Sequence, residues 1–213
     1  MKYHAPFANF VLKPYPEGSV TQYYGESPEL YKKVCNTLGM CLKGHSGLDL
    51  VAPWGTPIYA VSDQKVVEVK LDTGGYGTHV RCIDGEYEWT YAHMSKITCT
   101  LFQQLKAGDQ IGLMGNTGFV VSGATPFWKH NPYAGTHLHL QARRYSGNGG
   151  DFITYSSGVT LHINQYTNGY FGAIDILPLF EESSEEEYRR LLLTVRSLGN
   201  NAVELLRQLI LKK

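Results

Sequence analysis

Two histidines separated by a single residue are the sharpest chemical signal in this sequence. In His137-Leu138-His139, residues i and i+2 of a strand would face the same side, so both imidazoles would point into one cleft while Leu138 faces the core. Exposed imidazoles side by side add nothing to stability, and a buried pair costs desolvation. The pattern therefore favours a functional site, with an incidental pair on a strand face as the structural alternative.

A further histidine precedes a carboxylate by four residues, in His45-Ser46-Gly47-Leu48-Asp49. On an ideal strand this spacing would separate the two side chains by about 13 Å, too far for one metal ion. Gly44 and Gly47 flank the central residues, so the backbone can bend and bring both side chains inward. Alone, such a pair is weak evidence, because chance occurrences are common.

His93 ends a predicted strand, where a histidine is by itself more often a hydrogen-bonded structural residue than a catalyst. The three histidine-containing motifs together are more informative than any one of them. A catalytic zinc ion typically takes three protein ligands of histidine and carboxylate type and leaves one position for water. The sequence offers two histidines and one aspartate for such a site, with spare histidines to act on the water and the substrate.

Short strands with tight turns between them must position these residues. Turn signals such as Gly74-Gly75 and Asp84-Gly85 separate segments rich in β-branched and aromatic residues. The predicted strands are Ile58–Val61, Lys65–Lys70, His79–Ile83 and Tyr87–His93. Because no helices intervene, we expect a mainly β fold whose antiparallel sheet is folded over or partly closed.

Helices are expected only towards the two ends of the chain. Residues 27–34 predict a short N-terminal helix with Ser27 as its N-cap and Pro28 at the first helical position. After Pro178, a capping box at 184–187 and apolar residues at helical spacing predict a helical hairpin. We therefore divide the chain into a domain at 1–180 and a hairpin at 181–213, whose apolar stripe packs against the domain or meets a partner chain.

Composition and cysteine content narrow the function classes. Lysine plus arginine equal aspartate plus glutamate at 19 each, so no bulk charge argues for nucleic acid, and no apolar run approaches the roughly 20 residues of a transmembrane helix. The absence of a C-x-x-C pair argues against a four-cysteine zinc site. Cys35 could bridge to Cys41 and Cys82 to Cys99; four free thiols are the equal alternative.

A long aromatic stretch at 119–136 interrupts the rhythm of short strands. Loops of this length without structure of their own are often functional. A surface loop packed by its own aromatic residues is an equally good interpretation, and the sequence leaves both open.

Three motifs resemble the signatures of the M23 family of metallopeptidases, the lysostaphin-type or LytM-type enzymes. They are Gly44–Asp49, Tyr91–Ser95 and Gly135–Leu140, and the turns Gly108–Gly112 and Gly115–Gly118 are similar to the family's connecting turns. The resemblance spans roughly residues 20–145 in the family's order. The longer loop at 119–136 and the hairpin at 181–213 depart from the family pattern and leave substrate preference open.

The resemblance implies that His45, Asp49 and His139 bind Zn²⁺, while His137 and His93 stay free beside the metal. These two would act jointly as general base on the water and as stabiliser of the oxyanion, without an assignment of which does which. The implied function is a zinc endopeptidase that hydrolyses peptide cross-links of bacterial peptidoglycan, either glycine-rich bridges or direct stem-peptide links.

Two alternatives come from other classes. One is a catalytically inactive LytM-like module that regulates or binds other proteins of a cell wall or phage tail; such modules typically lack metal ligands, which are all present here. The other is a carboxypeptidase that trims D-alanine, although the order His-x-x-x-Asp and then His-x-His favours the endopeptidase.

The N-terminus lacks the apolar region of a secretory signal. Together with a substrate in the cell wall, this suggests a phage lysin or a virion-associated tail enzyme, for which residues 181–213 would be a docking element. A secreted enzyme whose signal has been removed is the alternative.

Overall fold

The computed structural model of the protein describes residues 3–122, 125–126, 131–146 and 150–181. Apart from Glu181, the helical hairpin expected at 181–213 lies outside these residues. The hairpin and the division of the chain at residue 180 therefore stay predictions.

Strands dominate the described residues, and both helices are short. The strands are β1 (Val20–Gln22), β2 (Leu48–Leu50), β3 (Pro57–Tyr59), β4 (Gln64–Lys70), β5 (His79–Ile83), β6 (Tyr87–Ala92), β7 (Met94–Ile97), β8 (Gln104–Leu105), β9 (Gln110–Met114), β10 (Val121–Ser122), β11 (Thr125–Pro126), β12 (Leu138–Ser146), β13 (Asp151–Thr154), β14 (Thr160–Ile163) and β15 (Ala173–Ile174). The helices are α1 (Pro28–Tyr31) and α2 (Leu177–Phe180).

A ten-stranded sheet forms the centre of the fold. Its main path runs β1-β2-β12-β6-β5-β4-β8, while β15 and the β13–β14 hairpin join it through the long strand β12. A three-stranded sheet, β3-β9-β7, and the two-stranded β10–β11 hairpin complete the described strands. Every pairing between these strands is antiparallel, which confirms the predicted mainly β, antiparallel class.

The two faces of the central sheet have different chemistry. Because side chains alternate along a strand, Leu138, Leu140 and Ala142 of β12 lie on one face, in the main hydrophobic core with Trp89 and Tyr91 of β6. The intervening residues of β12, from His139 onwards, lie on the opposite face. This face carries polar side chains that are nevertheless buried, among them His139, Gln141, Arg143 and Glu88.

The N-terminal helix and the position of its N-cap residue are confirmed, but the side-chain capping hydrogen bond is absent. Helix α1 begins at Pro28 as expected and ends earlier, at Tyr31. Ser27 occupies the N-cap position in a left-handed conformation, with φ 54° and ψ 48°, and makes no capping hydrogen bond through its side chain. Its hydroxyl oxygen instead accepts a hydrogen bond from Gln22 Nε2 at 2.9 Å.

The four cysteines divide into one bonded and one unbonded pair. Cys35 and Cys41 form a disulfide bond, whereas Cys82 and Cys99 are buried free thiols. The first suggested bridge is therefore present and the second is not. In the part of the chain that the structure describes, no helix is long and apolar enough to cross a membrane.

Candidate metal centre

Strand register brings Asp49 and His139 together. His139 of β12 lies opposite Asp49 of β2 on one side and Ala92 of β6 on the other. Directly opposite residues of antiparallel strands point to the same face, so their side chains are neighbours. The result is a 3.0 Å separation between Asp49 Oδ1 and His139 Nδ1.

His45 reaches the same point from the segment before β2. A Cβ atom on Gly47 would lie 2.4 Å from the carbonyl oxygen of Leu140 and 3.0 Å from His139 Cε1, so only glycine allows this close passage. The segment bends as the sequence predicts, and His45 Nε2 lies 3.0 Å from Asp49 Oδ1 and 2.9 Å from His139 Nδ1.

The three donor atoms form a nearly equilateral triangle that fits a metal ion. In tetrahedral zinc sites with Zn–N distances of about 2.0–2.1 Å, ligand atoms lie about 3.3 Å apart, only slightly farther than here. Two imidazole nitrogens and one carboxylate oxygen are a donor set of catalytic zinc sites. His45, Asp49 and His139 thus form a group that can hold a metal ion.

His93 and His137 lie beside this triangle without belonging to it. Their rings are 4.8 Å apart, and His137 Nε2 lies 3.6 Å from Asp49 Oδ1. Each ring donates Nδ1–H to a backbone carbonyl oxygen, of Thr117 at 2.8 Å for His93 and of Gly135 at 2.7 Å for His137. Each Nε2 therefore carries the lone pair of the neutral imidazole.

Backbone strain accompanies His93. The residue connects β6 to β7 with a φ of 60°, a left-handed conformation that few non-glycine residues adopt. Such conformations persist where the surrounding structure enforces them, often at functional sites. Here the conformation coincides with the placement of the ring against His137 and Thr117.

Electrostatics favour an ionised carboxylate at Asp49 and neutral imidazoles at His93 and His139. Burial raises the pKa of Asp49, but His137 and His45 lower that pKa more, and it lies well below its usual range. Burial, together with His137 and His139, lowers the pKa of His93 well below its usual value. Burial also lowers the pKa of His139, against the opposing effect of Asp49. Metal binding requires these protonation states.

An open cleft of about 620 Å³ leads to the centre. Asp49, His139, His137 and His93 line its floor, and its volume is in the range of small-ligand sites. The walls are largely apolar and include Leu30, Val34, Phe119 and Val120, with the bonded Cys35 among the other lining residues. A peptide backbone could thus approach the donor triangle from solvent.

The stretch at 119–136 contributes to this cleft and also has structure of its own. It contains the β10–β11 hairpin, and Phe119 lies in the cleft wall. Farther along, Tyr133 packs edge-on against Trp54, with ring centroids 5.4 Å apart. These contacts do not decide between the two interpretations, and Phe127, Trp128 and His130 lie outside the described residues.

All five histidine and aspartate residues singled out in the sequence meet at this site, but the sequence analysis missed the residues that support them. The carbonyl oxygen of Tyr23 accepts from His45 Nδ1 at 3.1 Å, which leaves Nε2 to face the centre. Gln141, Ser46 and Tyr76 form a hydrogen-bonded group beside His139. Strand alternation could have indicated Gln141, two residues after His139, whereas Tyr76 lies in a loop that only the fold brings near.

Relatives of this chain among known proteins include two that are named as endopeptidases. The glycyl-glycine endopeptidase ALE-1 of Staphylococcus capitis is 36% identical over 106 residues, which are 49% of this chain and 26% of ALE-1. The peptidoglycan DD-endopeptidase ShyA of Vibrio cholerae is 35% identical over 98 residues, which are 46% of this chain and 20% of ShyA. The matches thus span only about a quarter of the length of ALE-1 and a fifth of that of ShyA.

Among solved structures, the catalytic domain of the prophage-encoded M23 protein EnpA from Enterococcus faecalis is 29% identical. The match covers 62% of this chain and 84% of that domain, with a TM-score of 0.45. The sequence profile of Peptidase family M23 matches residues 43–152, just over half of the 213-residue chain. The matched segment contains both histidine motifs and the donor triangle, and the chain belongs to Peptidase family M23.

Proposed function

We propose that this protein is a zinc-dependent endopeptidase that hydrolyses peptide cross-links of bacterial peptidoglycan. His45, Asp49 and His139 are the proposed zinc ligands, and His137 and His93 the proposed catalytic residues. The observation that carries the proposal is the donor triangle, with its edges of 2.9–3.0 Å, two of whose residues, Asp49 and His139, line an open cleft.

The chemistry that zinc supplies when bound is that of a Lewis acid, which lowers the pKa of a water molecule and polarises a carbonyl group. The chain's own residues then move protons. Because His137 and His93 both carry a lone pair on Nε2, one can accept the proton of the attacking water. The other can stabilise the developing oxyanion as a donor once protonated and pass its proton to the leaving amine.

The two roles are not divided between His137 and His93 by their geometry. Both rings donate Nδ1–H to a carbonyl oxygen at nearly the same distance, and both line the cleft. His137 Nε2 also lies 3.6 Å from Asp49 Oδ1. We therefore assign the pair jointly to proton transfer and oxyanion stabilisation.

The relatives' names support the proposed substrate class. One relative is named a glycyl-glycine endopeptidase and another a peptidoglycan DD-endopeptidase. Peptidoglycan cross-links are the substrate class that they share, so the proposed place of action is the bacterial cell wall. A phage lysin or virion-associated tail enzyme remains the proposed setting, with 181–213 as its docking element, and a secreted enzyme is the alternative.

The proposal is tested by zinc content and by clearing of purified peptidoglycan, for wild type, His139→Ala and the control His4→Ala. His4 is an exposed histidine elsewhere on the surface, so the control removes an imidazole without touching the donor triangle. We expect one zinc per chain and clearing from wild type and from the control, and neither from His139→Ala. Wild-type protein without zinc or clearing would support the inactive LytM-like module.

Two additions to the same experiment identify the roles and the reaction. His137→Ala should keep zinc and lose most of its activity, by a factor of about 10²–10⁴, because a proton-transfer group is removed and the ligands remain. Loss of zinc from that variant would show that His137 is itself a ligand. Release of free D-alanine without clearing would identify the carboxypeptidase instead.

A further inference from the structure

A buried amide lies directly beside the proposed zinc ligand His139. Gln141 is two residues along β12 on the same face of the sheet, and only 1% of its surface is exposed. Its Oε1 atom lies 3.4 Å from His139 Nε2. The same oxygen accepts hydrogen bonds from Ser46 Oγ and Tyr76 Oη, each at 2.8 Å.

The contact with Gln141 affects which ring nitrogen of His139 carries the proton. Nδ1 of His139 is the atom aimed at the metal position, because it lies 2.9 Å from His45 Nε2 and 3.0 Å from Asp49 Oδ1. A neutral imidazole carries one proton, which must then be on Nε2. The neighbour of Nε2 is an amide oxygen, which can only accept, so Gln141 favours the tautomer that a metal needs at Nδ1.

The amide oxygen is itself held from two further segments of the chain. Ser46 directly follows the ligand His45, and Tyr76 comes from the loop between β4 and β5. The Tyr76 ring also contacts that of His139, with centroids 5.6 Å apart, and the guanidinium of Arg81 lies 5.0 Å from its centre. Gln141 thus links the segment that carries His45, the strand that carries His139 and a wall of the cleft.

We propose that Gln141, held by Tyr76 and Ser46, is a positioning residue that fixes the Nε2–H tautomer and the ring orientation of His139 for zinc. The inference rests on the proposed function, because it takes His139 to be a zinc ligand. Partners of metal-ligating histidines typically contribute about 10–100-fold to metal affinity or activity. An effect of that size is therefore expected at Gln141, although the residue touches neither metal nor substrate.

The chain contains a matched control in Gln64. This glutamine is also buried, with 3% of its surface exposed, and its Oε1 likewise accepts a tyrosine hydroxyl, that of Tyr91 at 3.0 Å. Its Nε2 donates to Ser62, in a region of the fold outside the donor triangle. Gln64→Met and Gln141→Met therefore remove the same kind of buried hydrogen bond, one beside a proposed ligand and one away from it.

The experiment measures zinc dissociation constants of the full chain by competition with a chelator, for wild type and three variants. Gln141→Met should weaken zinc binding about 10–100-fold, while Gln64→Met should bind zinc like wild type. Gln141→Glu retains an acceptor for His139 Nε2–H and should therefore bind zinc with the affinity of wild type. In ¹H–¹⁵N spectra, the Nε2–H signature of His139 should persist in the Glu variant and be lost or mixed in the Met variant.

Equal zinc affinities of Gln141→Met and Gln64→Met would overturn the inference, as would failure of Gln141→Glu to rescue binding. If Gln141→Met does not fold, as judged by circular dichroism, the pair Tyr76→Phe and Tyr91→Phe decides. Only Tyr76→Phe should then weaken zinc binding. A wild-type chain that binds zinc and clears peptidoglycan while Gln141→Met binds equally well would refute this inference alone. A wild-type chain without zinc would refute the proposed function and this inference together.

Discussion

Two buried acidic clusters lie on the same polar face of the central sheet and differ in how their charge is balanced. At one, Glu88 contacts the guanidinium groups of Arg143 at 2.6 Å and Arg81 at 3.0 Å. At the other, every ion-pair contact of Asp49 within the described residues is with an imidazole. Strand β12 carries both, with Arg143 only four residues after His139.

The difference lies in whether the cations that face the carboxylate are permanent. Burial raises the pKa of Glu88, but Arg143 and Arg81 lower it more, so a carboxylate is balanced by permanent cations of the chain. Asp49 has only imidazole partners among the described residues, and an imidazole is not a permanent cation, so the charge of this carboxylate in a pocket open to the cleft lacks a permanent counter-charge. A bound divalent cation would balance that charge. On the same face of the sheet, the charge of Glu88 is thus balanced by arginine side chains, whereas the charge of Asp49 could be balanced by a bound metal ion.

The largest effect is expected from removing the charge of Asp49, which has no permanent cation among its partners in the described residues. Asp49→Asn should reduce zinc affinity by more than the 10–100-fold typical of a ligand's partner, and peptidoglycan clearing should be lost. The free energy of unfolding of the metal-free chain should change little, because no arginine or lysine side chain is left unpaired. Zinc titration and urea unfolding of the variant measure the two quantities; large destabilisation without zinc would contradict the comparison.

The equivalent substitution in the arginine-balanced cluster, Glu88→Gln, should lower stability and leave zinc binding unchanged. Glu88→Gln leaves two buried guanidinium groups without their carboxylate, and breaking such a pair costs about 3–5 kcal/mol of unfolding free energy. Zinc stoichiometry should be unchanged, because Glu88 does not contact the donor triangle. Urea unfolding and metal analysis of the same preparation check this. Loss of zinc from a folded Glu88→Gln protein would show that the two clusters are coupled.

A smaller effect on acid stability is expected at Glu68, which extends the arginine-balanced cluster. Burial raises its pKa, but His79 and Arg81 outweigh this and hold the pKa at about 2. A carboxyl group whose folded pKa is depressed stabilises the protein above its unfolded pKa of about 4.3, and this stability is lost as the pH falls towards 2. Wild type should therefore lose more thermal stability than Glu68→Gln between pH 5 and pH 2.5. Parallel losses in the two proteins would show that other groups cause the acid sensitivity.

Local sequence patterns predicted much of the arrangement of the candidate site residues. The alternation of side chains along a strand predicted that His137 and His139 share a face, and Gly44 and Gly47 indicated the bend that brings His45 towards Asp49. The predicted shared face and the predicted bend agree with the structure because each depends on residues close in sequence. Ser27 occupies the predicted N-cap position, but its hydroxyl makes no capping hydrogen bond and instead accepts one from Gln22.

The sequence by itself determined the strand-rich class and the five candidate site residues, because strand period, turn residues and motif spacing are local properties of the chain. Only the tertiary structure decided that β2, β12 and β6 lie side by side in the register that joins Asp49 to His139. It also decided which cysteines bond and that Tyr76, Ser46 and Gln141 share one oxygen beside a proposed ligand. These contacts join residues up to 95 positions apart, and strand pairing rather than local sequence brings such residues together.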